Sequence, residues 1–327
     1  MSKRLEAEHC HEPPVPFKKY KSKISELLVM DIENERLNFV KIVPERRVIS
    51  SYPLCHIRNE LFHVVTQNNH IFLISQESEA IYSLDLNNNM GNFKFWEAQS
   101  IGGTGAILHG LLYVICGQDR YKNITQLMEC YDLQTKKRLS KNIPKMNYLL
   151  NGVGLIAHED TDRLYVIGGR NEKTNLNVSK VQAYSAAKNT WTELRCMKYA
   201  RYRPALVVYL NSIYVIGGYV ENGKSYMERY DILEDTWNRL EPLSVMYAKV
   251  EIAKISAIVY EGRIVAFGLT PDFNVVIEEY NPDDNKWRQV QLNCSSHTPI
   301  LCDITHLHIP FSNETRQPLS AYDIRYQ

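Results

Sequence analysis

The chain has 327 residues, with 38 Lys and Arg against 37 Asp and Glu and a net charge of +1; that balance gives no general drive toward nucleic acid. No apolar run approaches a bilayer span, and residues 1–8 lack the apolar core of a secretory signal, so no membrane partner and a cytoplasmic or nuclear location are expected. Seven cysteines, an odd number without short paired spacing, fit a reducing compartment better than a disulfide scaffold. The sequons at Asn123, Asn177 and Asn313 are then expected to stay unmodified.

Residues 1–23 read as a disordered or extended tail. His9, Cys10 and His11 have no second Cys/His pair at ligand spacing, so no metal is expected there. Pro13, Pro14 and Pro16 make a stiff spacer. Lys18, Lys19, Lys21 and Lys23 read as a solvated stretch, with a weak nuclear import signal as the alternative. Residues 26–31 and 37–42 then alternate around a polar turn, as a β-hairpin does.

From residue 54 to 292 one pattern recurs. Short, β-branched, apolar runs read as buried strands rather than helices. They are 71–75, 112–117, 164–169, 213–218 and 264–268. A two-residue turn signal precedes four of them: Asn68-Asn69, His109-Gly110, Asn211-Ser212 and Glu261-Gly262. Glycines close the fullest copies, at Gly168 and Gly169, at Gly217 and Gly218, and at Gly268; there the missing Cβ admits a turn or a close neighbour. A Tyr and a Trp seven residues later follow: Tyr184 and Trp191, Tyr230 and Trp237, Tyr280 and Trp287. The upstream copies are eroded: the second has Cys116 at the first glycine position and Arg138 at the Trp position, and the first carries a displaced Trp96. From Ser75 through Cys116, Gly168 and Gly217 to Gly268 the steps are 41, 52, 49 and 51 residues.

A period of about 50 with Gly-Gly, Tyr and Trp resembles the kelch repeat, whose unit is one four-stranded propeller blade. The Trp-Asp dipeptide of the rival WD repeat is absent. The resemblance implies an all-β fold, a six-bladed kelch-type propeller over 24–327. Five full repeats span about 54–292, and a composite sixth blade draws on both chain ends, 24–43 and 298–327. Residues 320–324 resemble a third strand as well, so which end supplies that strand is open.

Loops carry function in such a fold, and the resemblance implies a peptide or protein partner around the central channel. Aligned to the repeat, the loops entering first strands contain Arg46, Arg47 and Tyr52; Tyr148; Arg201, Tyr202 and Arg203; Tyr247 and Lys249. Those leaving second strands contain Arg120 and Tyr121; Arg170 and Asn171; Tyr219. Arg and Tyr are enriched at binding hot spots, and Arg forks match carboxylates, so an acidic partner is expected. Arg201 and Arg203 are the leading candidates, the alternative being a brace to an acidic residue of a neighbouring blade. Neither the metal-ligand spacing of copper or iron propeller enzymes nor a phosphate loop or catalytic triad is found. No cofactor and no enzyme activity are therefore expected. Only about 23 residues precede the first strand, so a ubiquitin-ligase role is expected to need another subunit or a longer chain. A cytoskeletal or complex-assembly scaffold is the alternative.

Overall fold

The structure, a computed structural model, describes residues 27–33, 36–43, 47–53, 62–67, 70–85, 94–139, 142–220, 227–244, 255–260, 262–269 and 275–290. Its first sheet is three-stranded, β1 (Leu27–Glu33), β2 (Arg36–Val43) and β3 (Arg47–Pro53), in that order. The expected hairpin is β1 with β2; β3 is an additional antiparallel partner of β2. The tail and the C-terminal part of the composite blade lie outside the described residues.

Five four-stranded antiparallel blades follow. Blade I is β4 (Phe62–Gln67), β5 (His70–Ser75), β6 (Ala80–Asp85) and β7 (Lys94–Glu97). Blade II is β8 (Thr104–Leu108), β9 (Leu111–Ile115), β10 (Met128–Asp132) and the short β11 (Lys137–Arg138). A small pair, β12 (Leu150–Asn151) and β15 (Arg170–Asn171), flanks blade III, which is β13 (Gly154–His158), β14 (Arg163–Ile167), β16 (Val181–Ser185) and β17 (Thr190–Leu194). Blade IV is β18 (Ala205–Tyr209), β19 (Ser212–Ile216), β20 (Met227–Asp231) and β21 (Thr236–Leu240). Blade V is β22 (Ser256–Tyr260), β23 (Arg263–Leu269), β24 (Val275–Asn281) and β25 (Lys286–Gln289). Five blades are thus described where six were expected. The first strands neighbour one another in the order β4, β8, β13, β18, β22.

Burial explains the repeated apolar runs. Second strands such as β19 are buried along their whole length, whereas fourth strands such as β21 are mostly exposed. Each hydrophobic cluster spans two successive blades: Phe72 and Ile74 with Leu112 and Val114, Tyr165 and Ile167 with Ile213 and Val215, Tyr214 and Ile216 with Ile264 and Ala266. Each fully buried Ile or Val contributes about 1.5–3 kcal/mol, so each seam stabilises both of the blades that form it.

The repeat residues have distinct duties. Tyr184 packs on its own Trp191 with centroids 5.4 Å apart and on Tyr113 of the preceding blade at 6.1 Å. Tyr230 does so with Trp237 and Tyr165 at 4.9 and 6.2 Å, and Tyr280 with Trp287 and Tyr214 at 5.2 and 6.3 Å. Each indole N–H reaches back to the segment leaving the previous blade: Trp191 donates to the Pro144 carbonyl (2.8 Å), Trp237 to Arg195 (2.7 Å) and Trp287 to Glu241 (3.2 Å). Each Tyr hydroxyl donates to an Asx in a left-handed turn, Asn189, Asp235 or Asn285, at 2.8 Å.

The decayed copies differ where the sequence does. In blade II the Tyr131 hydroxyl donates to Glu129, and its aromatic neighbour is Trp96 of blade I, 6.2 Å away. Cys116 occupies the glycine position with φ of 58°, and burial raises its thiol to about 12. Gly268 pairs with Val276 inside β23, so the glycine expected to end that strand does not. The turn expected at Asn211-Ser212 sits one residue earlier, with positive φ at Leu210 and Asn211.

Burial holds the phenols of Tyr113, Tyr131, Tyr184, Tyr230 and Tyr280 above the usual range, with Glu129 adding at Tyr131 and Asp235 at Tyr230. A folded-state pKa above the unfolded value of about 10 gives stability that is intact below that pH and falls as pH rises above it. These tyrosines are expected to ionise together with unfolding. Tyrosinate absorbance and circular dichroism, followed through one alkaline titration, check this; full ionisation of a still-folded protein would contradict it.

Candidate partner-binding face

The two families of loops meet on one face. In blade II the Ile101 and Gln118 backbones exchange N–H···O bonds of 2.8 Å. In blade III β12 pairs with β15. In blade IV Tyr202 and Tyr219 exchange bonds of 3.0 and 2.8 Å. In these three blades the loop entering the first strand is thus stitched to the loop leaving the second.

Four predicted residues converge where blades III and IV meet. The Arg170 guanidinium lies 4.4 Å from the Tyr202 ring centre and 5.9 Å from that of Tyr219. Arg203 lies 5.1 Å from the Tyr202 centre, so two cations flank one ring. Asn177 connects the group: its Oδ1 accepts from Arg170 Nε (3.2 Å), and its Nδ2 donates to the Tyr219 carbonyl (3.1 Å). Gly152 makes room for Tyr202, since a Cβ there would lie 2.0 Å from the ring. Exposed Arg203 is held at φ of 53° by its N–H donating to the Gly152 carbonyl at 2.7 Å.

Arg201 is not on this face, which corrects the leading expectation. It is 0 % exposed; its guanidinium donates to Glu228 at 2.7 Å and to the Gly217 carbonyl at 2.9 Å. It is a brace, as the alternative had it, but to Glu228 of blade IV, the blade that its own segment enters, rather than to an acid of a neighbouring blade. Arg47 and Tyr52 fall in β3 rather than a loop. Arg46, Tyr247 and Lys249 lie outside the described residues.

The remaining candidates are tied into their loops to different degrees. Tyr148 donates to Glu193 (2.9 Å), with the Lys180 ammonium 5.1 Å from its ring. Asn171 Oδ1 accepts from the Lys173 and Thr174 N–H groups, an Asx turn that shapes the loop after β15. Arg120 and Tyr121 sit at an exposed tip built on Asp119, which accepts from the Tyr121 and Asn123 backbones.

Sequence reasoning missed a periodic set two residues before each Tyr: Glu129, Gln182, Glu228 and Glu278. All four are buried. Each holds the segment leading into its own blade. Glu129 accepts from the Gln99 N–H (2.9 Å) and Ser100, Gln182 from Asn147 (3.2 Å), Glu228 from Lys198 and Tyr199 (2.7 and 3.3 Å) and Glu278 from Ser244 (2.7 Å). The signal was available: an acid or amide at a fixed offset inside an otherwise apolar strand, where an unpaired polar group is costly.

Comparison with known proteins agrees with this geometry. The family model described as Kelch motif matches residues 157–198 and 200–244, the stretch that builds most of blades III and IV. Residues 157–244 thus carry two kelch motifs, and the curated relatives that the chain matches include kelch-repeat proteins. Kelch repeat protein C2 of cowpox virus is 26% identical over 219 residues, 63% of this chain and 41% of that protein. Kelch repeat and BTB domain-containing protein 12 of Homo sapiens is 26% identical over 270 residues, 72% of this chain and 43% of that protein. The chain therefore spans less than half the length of these curated kelch relatives. The solved structure of YjhT superimposes with a TM-score of 0.60 at 13% identity, over 72% of this chain and 85% of that one, a likeness of fold alone.

Proposed function

We propose that this kelch propeller captures an acidic peptide on the loop face between blades III and IV. The observation that carries the reading is the pair of guanidiniums, Arg170 and Arg203, flanking Tyr202. Stacking on tyrosine orients a guanidinium; Asn177 holds Arg170 in place, and the exposed Arg203 can offer its N–H groups to a carboxylate. A left-handed backbone at a non-glycine residue costs about 1–2 kcal/mol, and Arg203 carries that cost at the exposed end of the group. Two acids on the same face have oxygens already engaged: Asp119 by its own turn, and Glu172 by Asn151 Nδ2 at 2.7 Å.

The wider role that fits is substrate recognition within a ubiquitin ligase, in the cytoplasm or nucleus. Its support is that relatives carry BTB or F-box names, among them an F-box/kelch-repeat protein of Arabidopsis thaliana, 31% identical over 156 residues.

The test is fluorescence anisotropy with a labelled Asp/Glu-rich peptide. Binding is expected to weaken with salt and to fall about tenfold or more in Arg203→Ala and in Arg170→Ala, about 1.4 kcal/mol per decade. Equal binding by the double variant would reject the site, and preference for a Lys-rich peptide would reject the charge argument.

A further inference from the structure

Blades I and II are joined differently from the others. In blades III, IV and V two side chains fasten each blade to the segment leaving the one before. One is the Trp indole N–H described above. The other is the turn Asx: Asn189 donates to the Asn142 carbonyl (3.0 Å), Asp235 accepts from Arg195 N–H (3.1 Å) and Asn285 from Glu241 N–H (3.2 Å). Blade II has Arg138 in place of the Trp and Lys136 in place of the Asx. Lys136 offers no acceptor for the Tyr hydroxyl or for a backbone N–H, and Arg138, on a two-residue outer strand, has no indole to lay on Tyr131.

The seam between these blades opens into a cavity of about 550 Å³ on the face opposite the loop site. Phe72 and Trp96 form apolar wall, with ring centres 5.7 Å apart. Asp85 lines it from blade I, beside His70 at 3.6 Å. Asp132 lines it from blade II; Oδ1 accepts from the Gln134 and Thr135 N–H groups, and those bonds hold its carboxyl below the usual range. His109 and the exposed Lys136 complete the chemistry that matters, Lys136 being the one opposing fixed charge among the described lining residues. The Trp96 indole nitrogen is buried without a hydrogen-bond partner, unlike the indoles of blades III to V.

Aromatic walls with a carboxylate contributed from each side are suited to an organic cation, which gains both ring-face attraction and charge-assisted hydrogen bonds. We infer that the seam between blades I and II is a second binding site, which takes a guanidinium or alkylammonium group between Asp85 and Asp132 over Phe72 and Trp96. It is separate from the acidic-peptide site and of opposite charge preference. The same chemistry is offered by a small free amine and by the Arg or Lys side chain of a partner.

The test is calorimetric titration of the full chain with agmatine, with tryptophan fluorescence recorded in parallel. Saturable single-site binding is expected. Asp85→Asn and Asp132→Asn are each expected to weaken it about tenfold, about 1.4 kcal/mol; an Asn at 132 can still accept the two turn N–H groups. Lys136→Ala is expected to tighten binding, which supplies a readout at an exposed position should either Asn variant unfold. The Arg170/Arg203 double alanine variant is expected to bind agmatine normally, so failure of one site leaves the other standing. Acetyl-Gly-Arg-Gly amide binding as well as agmatine assigns the site to a partner's side chain; weaker binding by the tripeptide assigns it to a free amine. No saturable heat with agmatine, or affinity indifferent to all three substitutions, would overturn the proposal.

Discussion

Arg201→Ala is expected to destabilise the propeller by about 3–5 kcal/mol, the usual consequence of removing one partner from a buried ion pair. The side chains of Arg201 and Glu228 are 0 % and 1 % exposed. Without the guanidinium, Glu228 keeps its bonds from Lys198 and Tyr199 but holds a carboxylate charge with no countercharge beside it. The Gly217 carbonyl loses its donor at the same time. Glu228→Ala is expected to be at least as damaging, because it strands the guanidinium and releases two backbone N–H groups together. Urea denaturation of both variants checks the pair. Destabilisation of less than about 1 kcal/mol, the range of exposed pairs, would show that the pair does not fasten the entry segment to blade IV.

Gly169→Ala is the second large effect, expected at about 3 kcal/mol. Gly169 has φ of 100°, and a Cβ there would lie 2.8 Å from the Asn151 carbonyl oxygen and 2.6 Å from a Val153 methyl. The backbone strain alone costs about 1–3 kcal/mol, and overpacking adds about 1–3 kcal/mol. The peptide is also pinned: Gly169 N–H donates to the Arg201 carbonyl at 2.8 Å, and its own carbonyl accepts from Val178 at 2.9 Å. It cannot rotate away without loosening the segment that carries Arg201. Gly110→Ala is the control, since a Cβ there meets nothing within 4 Å; that variant keeps only the cost of its positive φ. Equal stability of the two variants in thermal melts would show that crowding at Gly169 is absent.

Tyr, Trp and Gly-Gly were legible because their spacing repeats, and repetition exposes whatever the architecture needs once per blade. The same logic would have found Glu228 and its counterparts, but a charged residue in a strand reads as solvated until the entry segment that it holds is in place. Arg201 was misleading for the same reason. It sits in a segment that looks like an exposed loop by composition, yet it turns inward to a carboxylate 27 residues away. The Arg170, Tyr202 and Arg203 group was legible only as a list of loop residues. Its assembly depends on Gly152, an unremarkable glycine whose missing side chain lets the ring lie down. Nothing in the local sequence around Arg138 announces the opened seam; it is recognised only by what blades III to V have there.

The placement of the fasteners has a consequence for where this chain can be cut. Tyr184, Tyr230 and Tyr280 belong to the blade whose entry segment their neighbours hold, so the unit that stays together begins just after a fourth strand. Opening the chain after Leu194 or Leu240 leaves Arg195 or Glu241 with the indole that donates to its carbonyl. Opening it at Gly168-Gly169 or Gly217-Gly218, where the sequence repeat is most conspicuous, parts the second strand of a sheet from the third. The boundaries at which circular permutation or blade transplantation should succeed are therefore displaced by about half a repeat from those that the glycines advertise.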